Sequence, residues 1–220
     1  KMCLSWCATP YSLIQRESVS VVKQASRRSS LASVYKPSPF GISASPPGVT
    51  LAERAGLSLV IAECAAGDAA CIKALSKALG TDMPPPGHSS EAGDRRITWL
   101  APGKWMIVGK DKSYGETASL LESSCEDAAI NDVSSSKTVI RASGPNVRDT
   151  LAASCTIDLH PSVFKPGMSA TTDLDHVVVT IDCIDADTFD LYVSRAYAVS
   201  FWEWLIEASE EFGGEVKAAI

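Results

Sequence analysis

The side chains that most often perform catalysis or bind metals are few in this sequence, and they lie apart. Its three histidines, His88, His160 and His176, share no local motif with a nucleophile or an acid. The sequence contains no glycine-rich phosphate loop, no dinucleotide fingerprint and no serine nucleophile elbow. It therefore does not support an ATP-binding, dinucleotide-binding or α/β-hydrolase protein, and it predicts no catalytic residue and no metal ligand.

Two acidic residues, Asp132 and Asp158, are the most suggestive single positions, because each ends a strand-like segment. A carboxylate at such a point can act as a base, but it more often caps a turn. A separate acidic group lacks the central glycine and final glutamate of a calcium-binding EF-hand, so we expect a turn at its centre. Its members are Asp182, Asp185, Asp187 and Asp190.

The seven cysteines form no metal-binding or redox motif. No two of them are spaced as C-x-x-C, and none lies near a histidine at the spacing of metal ligands. Most fall within apolar runs, so the sequence predicts buried free thiols in a reducing compartment.

Strands and helices alternate along the first half of the chain. Residues 57–63 predict a strand, and Asp68 can cap a helix that ends before Gly80. An exposed loop (80–94), a hairpin (96–100 and 104–109), a helix near 113–125 and a strand near 129–133 follow. This order, β-α-β-β-α-β, is that of a ferredoxin-like unit.

The second half predicts a similar succession. A strand at 137–143 precedes a helix that opens at Gly144-Pro145. Strands near 169–174, 176–183 and 188–193 lead to a last helix at about 196–212. The predicted fold class is α+β. We expect one domain at 29–214, with internal halves of about 29–133 and 134–214.

The last helix is apolar around more of its circumference than one sheet can cover. Its apolar positions span roughly 220°, whereas a helix on one sheet needs a stripe of a little over about 100°. Trp202, Trp204 and Tyr197 flank the central line of this apolar face. Either a second internal layer or a partner subunit must cover the surplus, so these three residues are the candidate partner interface.

Charge is distributed unevenly over the 220 residues, whose formal net charge is −6. Residues 1–36 carry six basic and one acidic side chain, which leaves −11 for the remainder. Overall acidity argues against nucleic acid as the main partner, and no apolar run is long enough to predict a membrane span. Residues 1–28 form a basic, serine-rich tail that is either disordered, a non-native start or a mitochondrial presequence.

Several segments, in this order and spacing, resemble the gamma subunits of bacterial heterotetrameric sarcosine oxidases. They are Trp99–Gly109, Asn131–Ser134, Ser143–Asp149, Cys155–Pro161 and Phe189–Arg195. The resemblance covers about residues 29–214. It implies a fold related to the glycine cleavage T-protein and other aminomethyltransferase-like folate-binding proteins.

The resemblance also implies a function. The whole enzyme oxidises sarcosine to glycine and peroxide, and with tetrahydrofolate it yields methylenetetrahydrofolate. FAD, FMN and NAD belong to the alpha and beta subunits, and the gamma chain is a small non-catalytic accessory in the bacterial cytoplasm. The alternative is an independent folate-binding aminomethyltransferase-like protein in which Asp132 or Asp158 holds the pterin. Ser135, where many relatives have histidine or another bulkier polar residue, weakens that alternative.

Overall fold

The computed structural model describes residues 28–110 and 115–220, in which two β-sheets pack face to face between two pairs of helices. The predicted tail lies outside the described residues except for Arg28. Within those ranges, no helix is long and apolar enough to cross a membrane.

The five-stranded sheet and its two helices follow the predicted ferredoxin-like order. Its strands run β4-β5-β6-β3-β7, and all neighbouring pairs are antiparallel. The elements are β3 (Ser58–Glu63), α1 (Ala69–Leu79), β4 (Ser89–Ala92), β5 (Arg95–Ala101), β6 (Lys104–Gly109), α2 (Glu116–Ser124) and β7 (Ala129–Asp132).

The seven-stranded sheet contains the second half of the chain together with two strands from the first. Its order is β1-β12-β2-β8-β11-β10-β9. The elements are β1 (Ser38–Phe40), β2 (Val49–Glu53), β8 (Lys137–Ser143), α3 (Val147–Ala152), β9 (Ser169–Leu174), β10 (Val177–Asp185), β11 (Thr188–Ser194), α4 (Ala198–Ser209) and β12 (Gly214–Val216).

Strand β2 lies between β12 and β8, parallel to the first and antiparallel to the second. In a simple ferredoxin-like half, β12 would pair with β8 directly. The predicted boundary near residue 133 therefore does not separate the two sheets, because β1 and β2 belong to the sheet of the second half. The α+β class and the ferredoxin-like first half are confirmed.

Local sequence signals explain why α1 begins and ends where it does. One carboxylate oxygen of Asp68 accepts hydrogen bonds from the N–H groups of Ala70 and Cys71, each at 3.0 Å. Gly80 ends the helix with a left-handed φ of 72°, a conformation that glycine adopts without steric cost. Both ends agree with the prediction.

The loop predicted over residues 80–94 is partly wrong, since residues 89–92 form β4 and pair with β5. The Ser89 hydroxyl donates to the buried carboxylate of Asp182 at 2.6 Å. This bond draws the segment inward, which its polar, proline-flanked composition does not predict.

The surplus apolar surface of α4 is covered mainly from within the chain. Trp202 is only 1% exposed, and its ring lies 5.2 Å from that of Tyr35, centroid to centroid. The prediction of Trp202 as a partner-interface residue is therefore wrong, because the segment before β1 supplies the second layer. Tyr197 remains 57% exposed and Trp204 is partly buried.

Candidate functional site

The facing surfaces of the two sheets enclose a row of charged side chains. Asp182, Asp190 and Arg141 occupy matching positions on β10, β11 and β8, so the three side chains lie side by side on one face of the seven-stranded sheet. Both aspartates have no solvent-exposed surface. Buried carboxylates require charged or hydrogen-bonding partners, and each has them.

Asp182 is bound from the opposite sheet. Arg96, on β5, reaches across with Nε and Nη2, and Nη2 lies 2.8 Å from one carboxylate oxygen. The same nitrogen donates to the Ser89 hydroxyl at 2.6 Å. This pairing ties the two sheets together through a fork-shaped donor that matches the carboxylate.

Asp190 is shared by two guanidinium groups. Arg141 donates to both of its oxygens, each at 2.8 Å, and Arg54 donates to one of them at 2.6 Å. One negative charge thus faces two positive charges. Asp190 raises the pKa of Arg141, because its carboxylate accepts hydrogen bonds from the protonated guanidinium.

Tyr192 lies beside these ion pairs and is completely buried. Its hydroxyl has no hydrogen-bond partner among the described residues. Burial, followed by the charges of Asp190 and Asp182, raises the pKa of Tyr192 well above its ordinary value. The phenol therefore stays neutral and serves the packing between the sheets.

A cavity of about 210 Å³ opens next to Arg54, where β2 ends and β8 begins. The turn that precedes β1 and the residue after β11 complete its wall. Among the residues that the structure describes, its charged lining consists of one carboxylate, Glu53, and four cationic side chains, those of Arg28, Arg54, Lys137 and Arg195. This basic cavity is the candidate binding site.

Arg148 is another buried charged residue with several partners, and no sequence motif indicates it. It lies at the start of α3 and is 9% exposed. Its guanidinium donates to the carbonyls of Ala186, at 2.6 Å, and Phe164, at 3.0 Å, as well as to that of Leu159. It also stacks over Phe189, 4.9 Å from the ring centre. All of these contacts are structural.

The two acids singled out from the sequence both serve turns. Asp132 accepts the N–H of Ser134 at 2.8 Å, and Asp158 accepts that of His160 at 2.8 Å. Both side chains are exposed, and neither lines the basic cavity. Their role in holding a pterin stays a prediction, and the contacts give it no support.

The acidic group near residues 182–190 divides between two environments. Asp185, the last residue of β10, and Asp187, in the connection to β11, are exposed at the predicted turn, while Asp182 and Asp190 are fully buried. The sequence signal that could have indicated this burial is an aspartate at an inward-facing position of each otherwise apolar strand. Among the described residues, no cluster of three or more His, Cys, Asp or Glu side chains could hold a metal ion.

The prediction that every cysteine is a free thiol is wrong for Cys64 and Cys71, which form a disulfide. Seven positions separate them, and the turn between β3 and α1 brings Cys71, in the first turn of α1, against Cys64 at the end of β3. Cys125, Cys155 and Cys183 are free, and burial raises the pKa of the Cys155 and Cys183 thiols. Cys3 and Cys7 lie outside the described residues.

Comparison with solved structures identifies the fold. A heterotetrameric sarcosine oxidase from Corynebacterium sp. U-96 contains a chain that matches with a TM-score of 0.73 and 23% identity, over 84% of this chain and 96% of that one. The aminomethyltransferase T of the glycine cleavage system from Bartonella henselae matches with a TM-score of 0.60 and 16% identity, over 79% and 48%. The aminomethyltransferase-like fold implied by the family resemblance is thereby confirmed.

Comparison with known sequences identifies the family. The gamma subunit of sarcosine oxidase from Corynebacterium sp. (strain P-1) is 24% identical over 64% of this chain and 71% of its own length. That of an Arthrobacter species is 28% identical, over 66% and 72%. The model of the sarcosine oxidase, gamma subunit family matches residues 63–211, which is most of the described chain. The chain therefore belongs to the sarcosine oxidase, gamma subunit family.

Proposed function

We propose that this chain is the small accessory subunit of a heterotetrameric sarcosine oxidase, and that it has no catalytic residue of its own. The complex would oxidise the N-methyl group of sarcosine, giving glycine and peroxide, with methylenetetrahydrofolate as a further product when tetrahydrofolate is present. Membership of the gamma subunit family supports this assignment.

One observation carries the structural part of the proposal: the buried charged groups are engaged within the fold. Asp182 and Asp190 are held by arginines from this chain, and Arg148 binds three backbone carbonyls. A catalytic acid or base must exchange protons with a substrate, whereas these groups join strands, turns and sheets. Their arrangement suits a rigid body that contributes a surface.

We place the partner contact on the exposed side of α4. Tyr197 is 57% exposed, and the Trp204 indole lies in an open groove whose lining includes Asp175, Glu203 and Glu207. Exposed aromatic side chains beside an acidic groove suit a partner with an apolar side chain flanked by basic residues. The larger alpha and beta subunits of the proposed complex would supply it.

The cofactors of the proposed complex, FAD, FMN, NAD and tetrahydrofolate, would be bound by the partner subunits. The basic cavity of this chain measures about 210 Å³. Sites for drug-sized ligands and cofactors usually occupy about 300–1,000 Å³. The cavity itself is smaller than such sites, and an open groove that shares Arg28 and Arg195 adjoins it. The proposed location of the complex is the bacterial cytoplasm.

Co-expression of the full chain with the larger flavin-binding subunits tests the proposal. We expect it to elute with them as one complex in moderate salt, and Tyr197→Glu to weaken that association. Val178→Glu is the matched control, because Val178 is similarly exposed, at 62%, but lies on β10. Elution of the chain apart from the subunits would contradict the proposal. Micromolar binding of a reduced folate by the isolated chain would instead favour the folate-binding alternative.

A further inference from the structure

The basic cavity holds more positive than negative charge. Its only lining carboxylate among the described residues, Glu53, is 8% exposed and already accepts a hydrogen bond from the Ser29 hydroxyl at 2.6 Å. The nearby charge of Asp190 does not restore the balance, because Arg54 and Arg141 share it. Arg28 and Arg195 are exposed at the mouth of the cavity, whereas Arg54 and Lys137 are partly buried, where an uncompensated positive charge is unfavourable.

Lys137 contributes most clearly to this uncompensated positive charge. It is the first residue of β8 and is partly buried. Within the described ranges, its ammonium group makes no ion pair or hydrogen bond. Burial lowers the pKa of Lys137, with no opposing contribution from an acidic neighbour. An anion placed in the cavity would offset this loss of hydration.

The other groups around the cavity are hydrogen-bond donors. Arg195 donates to the carbonyl of Arg28 at 3.0 Å with one nitrogen, and its guanidinium has further N–H groups. Ser30 and Thr138 add hydroxyls, which contact each other in the wall of the cavity. Forked guanidinium groups, an ammonium and hydroxyls together suit the oxygens of a phosphate or a carboxylate.

We propose that this cavity binds a small oxyanion, of the size of inorganic phosphate or a short dicarboxylate, through Lys137, Arg54 and Arg195. The volume of about 210 Å³ accommodates an anion of this size. The inference does not depend on the accessory role proposed above, since it rests on the charges and dimensions of the cavity in this chain.

Titration of the full chain with inorganic phosphate and, separately, with succinate tests the inference. Ionic strength is held constant with sodium chloride, so that general screening does not change, and the unfolding temperature and the heat of binding are measured. We expect one of the two anions to raise the unfolding temperature progressively with concentration and to give a heat of binding that saturates. The anion that saturates at the lower concentration shows whether the site favours phosphate or carboxylate.

Lys137→Met is the decisive variant, and we expect it to weaken binding by about tenfold or more. Lys73→Met, on the exposed face of α1, should bind as the unmodified chain does. Without anion, Lys137→Met should unfold at the same temperature or higher, because it removes a dehydrated charge. Arg195→Gln gives an independent reduction in affinity. Failure of both anions to saturate, or equal binding by Lys137→Met, would overturn the inference.

Discussion

The two faces of the seven-stranded sheet differ in chemistry although the same strands form both, because only one of them carries the buried Asp182 and Asp190 among its apolar side chains. One face packs apolar side chains such as Ile181, Leu191 and Val193 against α3 and α4. The other face turns Asp182 and Asp190 toward the five-stranded sheet, where arginines bind them. Alternation of side chains along each strand makes this possible, because successive residues point to opposite sides.

The difference shows two ways in which the fold is fixed. On the apolar face, stability depends on buried area and volume, so a side chain of similar size and shape can substitute. On the charged face, each group depends on a particular partner, and removal of one leaves another uncompensated. The charged face should therefore be the less tolerant of the two.

The largest effect is expected when Asp190 is removed. Asp190→Ala leaves Arg54 and Arg141 without their shared carboxylate, and loss of one partner from a buried ion pair destabilises by about 3–5 kcal/mol. Denaturant unfolding of the full chain measures the change. Asp173→Ala, at an exposed position of β9, is the control and should alter stability little. A loss below about 1 kcal/mol for Asp190→Ala would show that the two faces do not differ in this way.

A somewhat smaller effect is expected on the apolar face. Leu205→Ala creates a cavity under α4, where Leu205 has no exposed surface, and should destabilise by about 3 kcal/mol. Leu205→Met keeps most of the volume and should cost less than about 1.5 kcal/mol. Thermal and denaturant unfolding of both variants give the values. Equal losses for Ala and Met would mean that volume does not govern this face.

The smallest effect is expected for Tyr192→Phe. The Tyr192 hydroxyl has no partner among the described residues, so its removal should change stability by less than about 1 kcal/mol at neutral pH. Because the pKa of Tyr192 is raised in the folded state, unfolded tyrosine ionises first and stability falls as the pH rises above about 10.

The variant should therefore lose less stability than the unmodified chain between pH 9 and about 11, as unfolding free energies at several pH values would show. Burial also raises the pKa of Tyr35, which both proteins contain. The free energy of unfolding of both therefore still decreases with pH in this range. Identical pH profiles would mean that Tyr192 ionises as readily in the folded as in the unfolded protein.

Local signals in the sequence predicted much of the fold. The Asp68 cap, the glycine at the end of α1 and the hairpin around Pro102-Gly103 act over a few residues, and the structure confirms them. The turn between β10 and β11 is of the same kind. Such features depend on neighbours in the chain, which a sequence displays directly.

Contacts between distant segments were harder to predict. The cover of Trp202 by Tyr35 depends on where α4 lies, and even the short-range disulfide of Cys64 with Cys71 depends on how the chain turns from β3 into α1. The basic cavity joins residues near positions 28, 54, 137 and 195, which no spacing rule connects. The one available signal for the buried ion pairs was an aspartate at an inward position of an otherwise apolar strand.

The insertion of β2 between β8 and β12 interlocks the two halves of the chain. A fragment that ends near residue 133 keeps β2 but lacks both of its neighbours, and the fragment that begins there exposes the unpaired edges of β8 and β12. Exposed strand edges invite aggregation. The two pieces should therefore fold productively only when they are produced together and complement each other, so the chain folds and assembles as one unit.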